Sequence, residues 1–142
     1  TKRYENTSFL PETDKDIQFD EGVAKVCADI SMKRHVGVIE AIYSPLGTVY
    51  TQTGKDLIEL PFMIGTGGVL VNSENPVDIL KAATFNLDEP NSLKPKNPKF
   101  MIDKEYVLSS MGLLTMVDKN MAVRMLKKYI VKCGGNTNGS KK

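Results

Sequence analysis

At 142 residues, with hydrophobic residues at 41% and charged residues at 25%, the chain has the composition of one ordinary globular domain able to bury a core without staples. Its 19 basic and 17 acidic side chains leave a net charge of +2, which gives no electrostatic case for nucleic acid. Two distant cysteines, Cys27 and Cys133, and a single histidine support neither a zinc site nor a disulfide framework, so a reduced, cytoplasmic protein with no metal is expected. No apolar run is long enough to cross a bilayer, so no membrane partner is expected. The absence of an initiator methionine reads as a piece of a longer chain.

Residues 1–19 are polar, carry Pro11, and read as an entry segment. From Asp20, Val23, Val26, Cys27 and Ile30 fall at helical spacing, which predicts a helix over 20–34 with Asp20 and Glu21 at its positive end and Lys33 and Arg34 at its negative end. His35 follows as a capping or packing residue, or else a ligand or base, and Gly37 marks a break or a close contact. Ser44-Pro45-Leu46-Gly47 is a turn by composition. Thr48 to Gln52 is strand-like, and Thr53-Gly54-Lys55-Asp56 turns the chain toward Leu57 to Ile64. A small sheet carrying 48–64 as a hairpin-like pair is therefore expected. Lys55 is a solvated turn lysine or one that reaches for a phosphate.

Phe62 to Val71 is the most informative stretch. Apolar residues flank Gly65, Gly67 and Gly68, and Asn75-Pro76 supplies a cap and a first helical position. The order strand, glycine turn, helix places backbone amides where an anion or a nucleotide could lie. Leu70 stands where a dinucleotide fingerprint needs its third glycine, and the glycine spacing does not make a P-loop. A turn with no ligand remains the alternative.

Beyond it, a helix over 76–84 carries Ile79, Leu80 and Ala83, and the proline-dense stretch from Asp88 to Lys99 reads as an ordered surface loop or linker. Phe100-Met101-Ile102 is a brief strand, and Asp103 caps a helix over 104–116 with Val107, Leu108, Met111 and Leu114 inward. The final helix is predicted over 119–133, with Ala122, Met125, Leu126, Tyr129, Ile130 and Cys133 on one face and Arg124, Lys127, Lys128 and Lys132 on the other. That methionine-bearing stripe is core or a partner surface. Gly134-Gly135 is expected to stop the helix, and 136–142 to be a disordered tail.

Several stretches together resemble the C-terminal part of the MutL (GlmL) proteins of clostridial glutamate mutase operons. They are Arg34-His35-Val36-Gly37-Val38-Ile39-Glu40, Gly54-Lys55-Asp56-Leu57, Ile64-Gly65-Thr66-Gly67-Gly68-Val69, Asp88-Glu89-Pro90, Lys94-Pro95-Lys96-Asn97-Pro98 and Asp103 to Leu114. The likeness runs from about Gly22 to Gly134, and it is not to the DNA mismatch-repair proteins of the same name. The resemblance implies an α/β fold, residues 20–135 forming part of an actin-like (ribonuclease H-like) ATPase lobe with a small sheet and several packed helices. It implies that Gly65, Thr66, Gly67 and Gly68 match the adenosine motif, and that the full-length protein binds ATP with magnesium while this piece alone holds no certain cofactor.

The implied partners are the N-terminal lobe of the same protein and glutamate mutase subunits. The implied role is a reactivating chaperone that releases damaged cobalamin from an adenosylcobalamin-dependent mutase. No Asp-x-Gly-x-Thr signature, no nucleophile beside a base and no paired carboxylates near the loop are apparent in the sequence, so no catalytic residue is assigned. A non-catalytic interaction module that docks on the mutase is the alternative reading.

Overall fold

In a computed structural model that describes residues 2–133, the chain runs α1 (Lys2–Glu5), α2 (Asp14–His35), β1 (Val38–Ser44), β2 (Gly47–Thr53), β3 (Phe62–Gly65) and α3 (Gly68–Asn72). It continues through α4 (Pro76–Lys81), β4 (Lys99–Asp103), α5 (Leu108–Leu114), α6 (Lys119–Tyr129) and β5 (Ile130–Lys132). The class is α/β, with two small sheets and several helices, in accord with the composition and periodicity.

α2 starts six residues before the expected Asp20, because the Thr13 hydroxyl accepts the Asp16 N–H at 3.2 Å and donates to the Asp16 carboxylate at 2.7 Å. α1 and the first turns of α2 thus lie within residues 1–19. The helix packs on α3 and α4. Its half-buried row is Glu21, Ala24, Lys25, Ala28, Asp29 and Met32, small and charged residues with one methionine, of which Glu21 bonds Ser73 just after α3 and Asp29 bonds Lys94. The apolar row, with Val23 at 46%, Val26 at 58% and Ile30 at 40% exposure, faces away from that contact.

The expected pairing of 48–52 with 57–64 does not occur. β2 pairs antiparallel with β1, from Val38 opposite Thr53 to Ser44 opposite Gly47, around the Ser44–Gly47 turn. β3 belongs to a second sheet, ordered β3-β4-β5, in which β4 runs parallel to β3 and antiparallel to β5. The reason lies at the base of the hairpin. Gly54 has φ of +85°, and a Cβ on Gly37 would stand 2.3 Å from the Thr53 carbonyl oxygen. Two bare backbones cross there, closing β1 and β2 on each other and releasing the chain toward β3.

Asp88 to Lys99 has no regular structure before β4, as its prolines dictate, and its two ends are exposed as expected of a surface loop, but the middle, Ser92 to Pro95, is buried. Leu93, Lys94 and Pro95 are among the most buried side chains described. Their backbone substitutes for a strand: Leu93 N–H donates to Gly37 O at 3.0 Å, Leu57 N–H to Leu93 O at 3.1 Å, and Phe85 N–H to Pro95 O at 2.9 Å. The loop therefore joins the hairpin, the 57–58 segment and the stretch that follows α4.

Helix ends differ from expectation for local reasons. α4 begins at Pro76, but the Asn75 side chain makes no cap bond. α5 is shorter than 104–116 because Asp103 caps it from the end of β4, accepting the Val107 and Leu108 N–H groups at 3.0 and 2.9 Å, with Tyr106 at φ of 52° between. α6 keeps Ala122 buried, Met125, Leu126 and Tyr129 half-buried and Arg124, Lys127 and Lys128 outside. It stops at Tyr129, before Gly134-Gly135. Ile130 and Val131, β-branched, pair with Asp103 and Ile102 instead of extending the helical stripe. Residues 134–142, with the glycine pair and the predicted tail, lie outside the described residues.

Candidate functional site

Strand, glycine turn and helix do follow one another, but the helix that receives the turn is α3 at Gly68 rather than α4. The candidate residues divide by what surrounds them. Gly65 is buried, and a Cβ on it would meet Leu70 at 2.8 Å, Leu80 at 3.0 Å and Ile102 at 3.2 Å. Its part is to let α3 and α4 close on β3. Thr66 is exposed. Gly67 has φ of +110° and open space where a Cβ would stand, and Gly68 faces only the Tyr106 hydroxyl, at 3.7 Å. Gly67 and Gly68 are thus the pair whose backbone a ligand can approach.

The first amides of α3 have no acceptor within the helix. Its carbonyl side is engaged: Val71 N–H donates to Gly67 O at 3.0 Å and Asn72 Nδ2 to Gly68 O at 2.8 Å.

A cavity of about 340 Å³ opens beside Gly68 and Val69, walled by Phe9, Leu10, Pro11, Ile17, Asp20, Glu21 and Asn72. Arg3 fixes its far wall. The guanidinium donates to Asp20 Oδ1 at 2.5 Å and to the Asp16 carbonyl at 3.1 Å, and it stacks over Phe19 and Phe9. Glu21 Oε1 accepts the Ser73 hydroxyl at 2.5 Å, tying α2 to the end of α3.

Two carboxylates therefore stand near the glycine turn, against the sequence reading that placed none there. The sequence assigns Asp20 and Glu21 only to the positive end of a helix dipole. Their second role arises from the docking of α2 on α3, which residue spacing does not encode. Carboxylates accept bonds from hydroxyl and amino groups and repel phosphate.

His35 and Lys55 do not line this cavity. Lys55 Nζ lies 3.3 Å from His35 Nε2, and both are exposed. Cys27 and Cys133 are free thiols, with burial raising the pKa of Cys133 against the opposing effect of Lys104. Among the described residues there is no group of three or more histidine, cysteine or acidic side chains able to hold a metal, and no helix long and apolar enough to cross a membrane.

The family model described as MutL protein matches residues 1–130 of the chain. Protein MutL of Clostridium tetanomorphum is 52% identical over 130 residues, which cover 92% of this chain and 28% of that protein. The chain belongs to the MutL family, the family that its motifs resemble and not that of the mismatch-repair proteins. It spans under a third of the length of the relative it matches. No solved structure matches it.

Proposed function

We propose that this chain is the nucleotide-facing C-terminal part of an ATP-dependent reactivating chaperone for adenosylcobalamin-dependent glutamate mutase, built as part of an actin-like ATPase lobe. The observation that supports the reading is that Gly68 lines the cavity, while Gly67, its neighbour in the chain, has open space where a side chain would stand. Its volume is at the lower end for ligand pockets and suits one nucleoside-sized group rather than a whole nucleotide.

The chemistry of the wall fits the adenosine end. Phe9, Leu10, Pro11 and Ile17 offer apolar surface to a base, and each of Asp20 and Glu21 has a second oxygen for a ribose hydroxyl or an exocyclic amine. The same carboxylates keep phosphates out. Magnesium and the phosphates of ATP would be held by the remainder of the longer protein, and the nucleotide would supply the energy for cobalamin release. The chain alone hydrolyses no ATP in this reading, since phosphoryl transfer depends on positioning and metal clamps from both sides of a cleft.

The functional test is mutase rescue. Glutamate mutase that has stalled on damaged cobalamin regains activity when a full-length MutL protein carrying this segment is added with magnesium and ATP. Equal recovery without nucleotide would contradict the proposal.

A further inference from the structure

Gly22 is a residue that the described fold does not require. It lies inside α2, where glycine is less favourable than alanine. Yet a Cβ added there meets nothing within 4 Å. Around it, Phe19, Val23, Val26 and Cys27 form an entirely apolar groove on the outward face of the helix, with Ile30 one turn further on. α2 thus presents its small and charged row to α3 and α4 and leaves its apolar row uncovered among the described residues. That reverses the usual arrangement of an amphipathic surface helix. A contiguous apolar strip of this kind marks an interaction surface.

The chain itself points to an occupant. It accounts for 28% of the MutL protein it matches, so most of such a protein remains to be packed against the matched part. No charged residue lines the groove, and the Arg3 guanidinium over Phe19 is already paired with Asp20, which suits an apolar segment of a folded domain rather than an acidic or basic peptide. We infer that the outward face of α2 is the seat of the rest of a MutL protein, with an apolar segment crossing α2 closely at Gly22, where the missing side chain lets backbones approach. The inference rests on the reading that this chain works as part of a longer MutL protein, and not on nucleotide binding.

Cys27 reports on it directly. Its alkylation by iodoacetamide, read by peptide mass spectrometry without nucleotide, is compared between this chain and C. tetanomorphum MutL in which this chain replaces the matched 130 residues. Modification is about tenfold or more slower in the long protein, as for a thiol that reacts only when its cover opens. Gly22→Ala raises the melting temperature of this chain and lowers that of the long protein. Equal alkylation rates in two folded proteins overturn the inference, as does stabilisation of both by the alanine. Alkylation of the isolated chain that slows with rising concentration assigns the face to a second copy and also overturns it. Should the chimaera not fold, hydroxyl-radical footprinting of unaltered C. tetanomorphum MutL at positions aligned with 19–30 gives the same reading, protection supporting the inference and full exposure overturning it. Failure to bind ATP leaves all these outcomes unchanged.

Discussion

Lys94 Nζ lies 2.5 Å from Asp29 Oδ1, and with that bond an irregular proline-rich loop is fastened to α2. The lysine is fully excluded from solvent, and its ammonium also meets Glu89 Oε2 at 2.8 Å, while Lys33 from α2 pairs with the other Glu89 oxygen. A buried charge is tolerated only where it is paired and hydrogen-bonded. Here both acids converge on one lysine.

Lys94→Met removes the shared partner and leaves Asp29 facing Glu89. Breaking a buried pair costs about 3–5 kcal/mol, and the part-exposure of Asp29 reduces this to about 2–3 kcal/mol. Urea denaturation would show the loss. Asp29→Asn, which leaves Glu89 on the lysine, is expected to cost less, and the opposite order would contradict this account of the cluster.

Acid should weaken the same cluster. The hydrogen bond from Lys33, then that from Lys94, lowers the Glu89 pKa from 4.5 to about 2. A depressed carboxylate contributes stability that is present above its unfolded value, so that contribution is lost as pH falls from 4.5 toward 2. The melting temperature should drop over that window, and Glu89→Gln should flatten the drop. Lys94 behaves in the opposite sense. Burial opposes its charge, but the bonds to Asp29 and Glu89 outweigh that and raise its pKa above 10.5, so its contribution is lost only in stronger alkali.

Two glycine-to-alanine changes should move stability in opposite directions. At Gly37 the new methyl would meet Thr53 O at 2.3 Å, Gly54 C at 2.7 Å and Lys55 N at 2.9 Å, all backbone atoms that side-chain motion cannot clear. Gly37→Ala is expected to cost about 3 kcal/mol. Gly22→Ala meets nothing and removes a helix-interior glycine, which stabilises the isolated chain by about 0.5–1 kcal/mol. Denaturant midpoints of the two variants provide the comparison.

Much of this was legible in local sequence. The Ser44–Gly47 turn, the α6 stripe through Tyr129 and the strand at Phe100 to Ile102 follow from residue type and period. What was not legible depends on tertiary partners. The Val38 to Tyr43 strand becomes apparent once the Gly37 and Gly54 backbones touch. Ile130 continues a helical period yet, with Val131, joins a sheet edge because β4 is there to pair with them. Lys94 looks like a solvated loop lysine until α2 brings Asp29 to it. At the candidate site the glycine turn was visible from spacing, whereas the distinct role of Gly65 and the carboxylates of Asp20 and Glu21 arise from helix docking.

The most direct test of the central claim is ATP affinity at the glycine turn, measured by calorimetry in a full-length MutL protein carrying this segment. Gly67→Val fills the open space but, at φ of +110°, adds strain of about 1–3 kcal/mol, so its melting is followed alongside. Gly68→Val occupies the same approach without a positive φ and serves as the unstrained companion. Both variants, still folded, are expected to bind ATP at least about tenfold more weakly, a loss of about 1.4 kcal/mol or more. Wild-type affinity in both folded variants would contradict it and reduce Thr66 to Gly68 to a turn that bears no ligand.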